Sequence, residues 1–174
     1  FEKNDQLTGI EYLDQLYQSI IQERCISLTY QSFKAREASQ FIFHPVLLKE
    51  YRNRWFVLGT KEKEEQLLTL ALDRIQLIES SSTRFRGKAH FSASDYFRDA
   101  LGVTVNPKAR PLDVRLFVAY PHAHHILTKP LHHSQQLVEK GNYGIVISLR
   151  IQHNFELEKE ILGFGEGVQV LAPT

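Results

Sequence analysis

Methionine is absent from these 174 residues, and cysteine and tryptophan occur once each, at Cys25 and Trp55. A lone cysteine excludes an internal disulfide framework and fits a reducing compartment, which points to the cytoplasm. Without methionine the chain does not contain its own start codon, and it reads as a piece of a longer protein. Charge of one sign is also lacking. The 21 Lys and Arg stand against 20 Asp and Glu, a formal net charge of +1, so electrostatic recognition must be local and not spread along a basic arm or acidic tail. No apolar run approaches the roughly 18 residues of a membrane span; even Ile145 to Leu149 is interrupted by Ser148 and followed by Arg150. Phe1 to Gln6 carry Glu2, Lys3 and Asp5 where a signal peptide would set a basic stretch ahead of an apolar one. What is present is the balance of a globular chain, 43% hydrophobic and 24% charged, enough for one ordinary domain or two small ones.

Ile10, Leu13, Tyr17, Ile20 and Ile21 recur at spacings of three and four, which predicts a helix, and Thr8 with Glu11 forms a capping box at its start. From Cys25 the period becomes two, with Ile26, Leu28 and Tyr30 on one face of a strand. Four further strands are expected at Gln40 to Leu48, Arg54 to Thr60, Gln66 to Leu72 and Ile75 to Glu79, joined by short polar connections that suit antiparallel neighbours. Five short strands after one helix predict a small closed or nearly closed barrel. Ser80 to Pro111 opens with three serines and is rich in Arg and Lys; it reads as a linker over 80–110 that holds one short helix, Ser94 to Leu101, closed by Gly102. The pattern after Pro111 is βαββαβ: strand Asp113 to Ala119, a helix from Pro121, strand Gln136 to Glu139, a turn at Gly141-Asn142, strand Tyr143 to Ile151, helix Phe155 to Leu162 and strand Val168 to Leu171. That order is the split βαβ, ferredoxin-like unit. The reading is an α+β chain with a helix and barrel over 1–79 and a ferredoxin-like domain over 111–174, and no internal repeat joins the two.

The segment richest in recognition chemistry runs from Phe43-His44-Pro45 through Lys49, Arg52 and Arg54-Trp55-Phe56-Val57-Leu58, and is closed by Leu72-Asp73-Arg74-Ile75. A site for a phosphate-bearing ligand needs guanidinium forks for the anion and flat aromatic faces for a base. Tyr30, His44, Lys49, Arg52, Arg54, Trp55 and Arg74 supply both kinds within one small module. The structural alternative is also specific: Trp55 and Tyr30 as packing, His44 as a hydrogen-bonded strand histidine, and Asp73 paired with Arg74 or Arg54 to hold a strand bend.

At these residues the sequence resembles the WYL-domain transcriptional regulators. The name-giving Trp-Tyr-Leu aligns with Trp55, Phe56 and Leu58 with one spacer, and Tyr30, Pro45 and Asp73-Arg74-Ile75 fall at the family's intervals, so the likeness covers Ile20 to Glu79. Pro111 to Thr174 resembles the extension that follows this domain. The resemblance implies an Sm-like or SH3-like barrel that senses a nucleotide or nucleic-acid ligand, with a helix-turn-helix DNA-binding domain ahead of Phe1, and it places Arg74 in the ligand cleft. Two departures stand out. Phe56 lacks the hydroxyl of the family's tyrosine, and Leu68, Thr69 and Ala71 replace the basic positions ahead of the Asp-Arg-Ile motif, which leaves the pocket less cationic.

Six of the eight histidines fall at His122, His124, His125, His132, His133 and His153. His122 and His125 share a helix face, but no Cys or Asp stands at a metal-motif spacing nearby, so no metal or other cofactor is expected. No G-x-S-x-G elbow occurs, Gly163, Gly165 and Gly167 follow a helix where a phosphate loop must precede one, and Cys25 has no histidine near in sequence, so an enzyme is not expected. The expected function is the ligand-sensing, dimer-forming part of a bacterial transcription factor, taking a nucleotide or short nucleic acid. A purely structural oligomerisation module and a direct single-strand binder are the alternatives.

Overall fold

A 3-10 turn, Ile10–Tyr12, leads into helix α1, Leu13–Ile21, in the computed structural model, which describes residues 8–87 and 91–173. The capping box of Thr8 and Glu11 does not form. Gly9 caps the turn with φ +89 and no side-chain hydrogen bond is made there. The reason is a close approach, because a β-carbon on Gly9 would lie 2.4 to 2.6 Å from backbone atoms of Leu72 and Asp73. Helix α1 buries Leu16 completely. The Tyr12 hydroxyl, at the end of the turn, donates to the Gln76 carbonyl at 2.7 Å, and Gln15 Nε2 of the helix donates to the Ile78 carbonyl at 3.3 Å. The helix thus covers the outer edge of the strand that carries those carbonyls, which would otherwise be an open template for pairing.

Strands β1 (Ile26–Tyr30), β2 (Ser39–Tyr51), β3 (Arg54–Lys61), β4 (Leu68–Ala71) and β5 (Ile75–Ser80) form one antiparallel sheet in the order β4-β3-β2-β1-β5. The ladder is open, with β4 and β5 as its two edges, so the closed barrel expected from strand spacing is corrected to an open sheet. It is strongly curled nonetheless. Five flat strands would place the edges about 19 Å apart, yet only the 3-10 turn Leu72–Arg74 joins β4 to β5. Four residue steps reach at most about 14 Å. A register shift between Pro45 and Leu47 in β2 accommodates the buried proline, which has no N–H for the ladder. The β2–β3 turn places both Arg52 and Asn53 at positive φ, 50 and 61, the geometry of a two-residue hairpin whose twist matches its strands.

The chain divides between Ala93 and Ser94 into two compact units, each considered by itself below. Helix α2, Ala93–Phe97, is shorter than the expected Ser94 to Leu101. In the second unit, β6 (Leu112–Ala119), α3 (Tyr120–Thr128), β7 (Gln136–Lys140), β8 (Gly144–Ile151), α4 (Phe155–Leu162) and β9 (Val168–Ala172) follow the βαββαβ order, and the antiparallel sheet runs β7-β8-β6-β9. The Asn154 side chain caps α4 by accepting from the Leu157 N–H at 2.9 Å.

Much of the serine- and arginine-rich connection is built into one unit or the other. On the first unit, the Cys25 thiol donates to the Thr83 carbonyl and the Arg86 N–H donates to His44 Nδ1 at 3.1 Å. On the second, Gln152 bonds Asn106 and Ala109, Asn154 Nδ2 donates to the carbonyls of Leu101 and Thr104, and the buried Glu156 accepts three bonds from Val103 and Thr104.

The two hydrophobic clusters share no residue, one centred on Leu28, Phe43 and Val57 and the other on Leu116, Ile147 and Ile151. Ile147→Ala should therefore cost about 2 to 5 kcal/mol and reduce amide-exchange protection in β6 to β9 while leaving β1 to β5 unchanged. Equal loss in both sheets would contradict separate cores.

Candidate ligand site

The turn Leu72–Arg74 carries the chemistry of the first unit. Leu72 points into the core at 1% exposure and anchors the turn, the Gln31 N–H donates to the Arg74 carbonyl at 3.1 Å, and Gly9 lies against the turn's backbone. With the backbone pinned, Asp73 and Arg74 project in defined directions. Asp73 Oδ2 meets Arg54 Nε at 3.3 Å, and its Oδ1 lies 4.0 Å from Arg74 Nε. The second distance is too long for a hydrogen bond. Asp73 Oδ1 and Arg74 Nε are both buried and have no hydrogen-bond partner among the described residues.

The Arg74 guanidinium instead stacks on Phe33, its central carbon 3.7 Å from the ring centroid. Phe33 is 76% exposed, an unusual position for a large aromatic side chain. Around this pair lies an open cleft of about 350 Å³, walled by Gln31, Ser32, Phe33, Asp73, Arg74 and Gln76. Gln31 organises it. Its Nε2 donates to the carbonyls of Ala35 and Arg36, and its Oε1 accepts from Gln76 Nε2 at 2.8 Å.

Of the seven residues singled out from sequence, only Arg74 lines this cleft. Arg54 joins it indirectly through Asp73 and is half-exposed. Tyr30 is 8% exposed and belongs to the core. Trp55 is partly buried against the same core, opposite Glu50. Arg52 sits in the hairpin turn, 5.7 Å from the Tyr51 ring centroid. Lys49 lies on β2 opposite Phe56, and burial lowers its ammonium pKa from the ordinary lysine value.

His44 is elsewhere. Phe43 pairs with Ile26 at the start of β1 whereas Ser39 pairs with Tyr30 at its end, so His44 stands at the far end of that strand from the Arg74 turn. It is 1% exposed, covered by the chain returning past Phe85, whose ring meets the imidazole edge to face at 5.7 Å. Nδ1 accepts from the Arg86 N–H, so Nε2 carries the proton and donates to Glu62 Oε2 at 2.7 Å. His44 borders a second cleft of about 460 Å³ with Thr60, Lys61, Lys63, Glu64 and Arg86. Arg86 meets Glu62 there at 3.7 Å.

Sequence reading missed Phe33, Gln31 and Gln76. The available signal was an aromatic residue standing alone in the polar connection Ser32 to Ala38. In the second unit His122 packs on Phe164, and His132 and His133 both donate Nε2–H to the Arg98 carbonyl, at 2.8 and 2.7 Å. Among the described residues no group of three or more His, Cys, Asp or Glu is placed to hold a metal ion.

The chain thus holds two antiparallel modules, the first carrying an Asp-Arg turn beside an aromatic cleft. Residues 11–80 match the WYL domain and residues 110–174 match the WCX domain, so the chain carries a WYL domain followed by a WCX domain. The resemblance over Ile20 to Glu79, and that of the segment after Pro111, are both supported. No curated protein matches the chain. Among solved structures it is similar to a CRISPR Cas-related protein, with a TM-score of 0.56 and 11% identity over 95% of this chain and 47% of that one. Proteasome accessory factor B/C (PafBC) of Arthrobacter aurescens aligns with a TM-score of 0.42 and 17% identity over 95% of this chain and 24% of that one. The chain thus spans about a quarter to a half of these longer proteins. Among the described residues no helix is long and apolar enough to cross a membrane.

Gly9→Ala should displace the Leu72–Arg74 turn, since neither its φ nor the space beside it admits a β-carbon. A loss above about 1 kcal/mol is expected in urea unfolding, and an unchanged midpoint would refute the close approach. His132 gives a pH signature. Burial first, then the facing His133, lowers its pKa from the ordinary histidine value, while the Arg98 carbonyl and Asp99 pull weakly the other way. The unfolded chain therefore takes up the proton more readily. The stability linked to this group is complete above about pH 6.5 and is lost as pH falls through the lower folded value. Urea midpoints measured from pH 7.5 to 5 should fall less steeply for His132→Gln than for the native chain, and parallel profiles would remove His132 from the account.

Proposed function

We propose that the first unit is a ligand-sensing domain of a bacterial, cytoplasmic transcription regulator, and that the cleft beside Arg74 takes a nucleotide or short nucleic acid. The observation that carries this reading is the Arg74 guanidinium stacked at 3.7 Å on a 76% exposed Phe33. A stacked guanidinium presents its N–H edge outward to an anion, and the exposed ring offers a face to a base. Asp73 Oδ1 and Arg74 Nε are buried 4.0 Å apart, so the groups this reading offers to phosphate oxygens are the outer N–H groups of the guanidinium. Arg54, held by Asp73 at 3.3 Å, adds positive potential from outside the cleft. In this reading Tyr30 and Trp55 support the site from the core, and His44, Lys49 and Arg52 lie outside its first contacts.

Ligand binding alters DNA binding only if the ligand prefers one arrangement of the whole regulator over another. DNA contact itself is assigned to another domain, and the chain is taken to work as a homodimer. A single-strand-binding role for the same cleft differs in its salt dependence, because several phosphate contacts make affinity fall steeply as ionic strength rises. A purely structural module predicts no ligand at all.

Arg74→Ala should leave the melting temperature of the free protein nearly unchanged and weaken nucleotide or oligonucleotide binding by about 1.5 to 3 kcal/mol, the worth of a charge-assisted hydrogen bond. Thermal shift and calorimetry over a panel of mononucleotides and short oligonucleotides check this. Loss of folding in Arg74→Ala, or full binding by it, contradicts the proposal.

A further inference from the structure

The core face of the second sheet is not completely roofed. Along β6 the core-facing row Val118, Leu116, Val114 is at most 5% exposed, but its next member, Leu112, is 42% exposed. Along the edge strand β9, Val168 is 9% exposed and Val170 is 44% exposed. Val170 pairs with Leu116, which is fully buried, so at one level of the sheet the central strand is covered and the edge strand is not. The cause is the size of the roof. Helix α4 has 8 residues, about 12 Å of helix. It covers the sheet's centre through Leu157 and leaves Ile161 and Leu162 facing a gap.

That gap is a groove of about 570 Å³ lined by Leu112, Val114, Leu157, Ile161, Leu162 and Val170. Its volume falls within the roughly 300 to 1,000 Å³ of small-molecule sites, which are mainly apolar with a few placed polar groups. Here those groups are His153 and Glu158, the polar side chains on its wall. They stand near the Leu112 end, since Leu112 pairs with Ile151, two residues before His153. His153 Nε2 and Glu158 Oε1 are 2.7 Å apart, so the imidazole N–H is engaged by the carboxylate. What the pair offers a guest is carboxylate lone pairs, and among the described residues no Lys or Arg lines the groove. An anionic head would meet Glu158 with no lysine or arginine there to offset it.

We propose that this groove binds a small amphiphile with an apolar alkyl or aryl body and a cationic amine head, the body completing the roof over Val170 and the head resting on Glu158. The site is distinct from the Arg74 cleft in place and in sign, for it favours a cation where that cleft favours an anion.

The test uses the whole chain with octylamine and octanoate as probes, each below its micelle concentration, read by methyl NMR and calorimetry. Octylamine should shift the Leu112, Ile161 and Val170 methyls saturably and bind at least tenfold more tightly than octanoate. Val170→Trp, at an exposed edge position, should fill the groove and abolish binding; Leu112→Trp is the second variant should that one fail to fold. Glu158→Lys should reverse the preference between the probes. Equal binding of the two probes, no binding of either, or octylamine binding that survives Val170→Trp would overturn the proposal. It would also fall if Val170→Trp changed the oligomeric mass while no amine bound the native chain, because the groove would then seat a second copy of the chain.

Discussion

One carboxylate at the corner between two edge strands organises the first unit's chemistry. Asp73 sits in a three-residue turn that must connect opposite edges of a five-stranded sheet, and the turn is short enough to force the sheet to curl. Arg54 arrives from β3 and Arg74 from the turn itself, one on each oxygen of the same side chain. Exposed ion pairs contribute little to stability, so the contact with the half-exposed Arg54 is better understood as orientation than as glue. Asp73 engages Arg54 closely and Arg74 only at 4.0 Å, while the Arg74 guanidinium lies over the Phe33 ring at 3.7 Å.

The supporting structure shows the same economy. Gly9 permits a backbone approach that no other residue allows, Gln31 ties the aromatic loop to both neighbouring segments, and Leu72 holds the turn to the core. Histidines elsewhere serve as clamps. His44 pins the chain leaving the first sheet, and His132 with His133 pins the chain entering the second at the Arg98 carbonyl. Each imidazole is held as a neutral tautomer that donates on one side and accepts on the other wherever both nitrogens are engaged, as at His44 and His132.

The periodicity of the chain exposed most of the elements, because alternation and three-four spacing are direct consequences of burial on one face. Helix α4 and strands β1, β5, β6 and β8 lie within a residue or so of their expected bounds. The capping box did not hold, because tertiary contact of Gly9 with Leu72 and Asp73 overrode a local capping preference. Barrel closure failed because strand spacing reports neighbours along the chain, while closure depends on a ladder between β4 and β5 that is not formed. At the site, residue type identified Arg74 and the Asp73 connection to Arg54, yet Tyr30 belongs to the core and His44 to another cleft. Alternation alone cannot tell which face of a curled sheet is covered by a returning segment. Phe33 and Gln31 lay in a loop, where no period exists to mark them.

The account rests on Arg74 and Phe33 meeting an anionic guest in one cleft. The most direct measurement is NMR of arginine Nε–H and aromatic resonances during titration with mononucleotides and short oligonucleotides. The account predicts saturable shifts of the Arg74 Nε–H and the Phe33 ring together, with the His44 ring undisturbed. Shifts confined to the cleft of His44, Lys61 and Lys63, or an Arg74 Nε–H that no nucleotide moves, would contradict it.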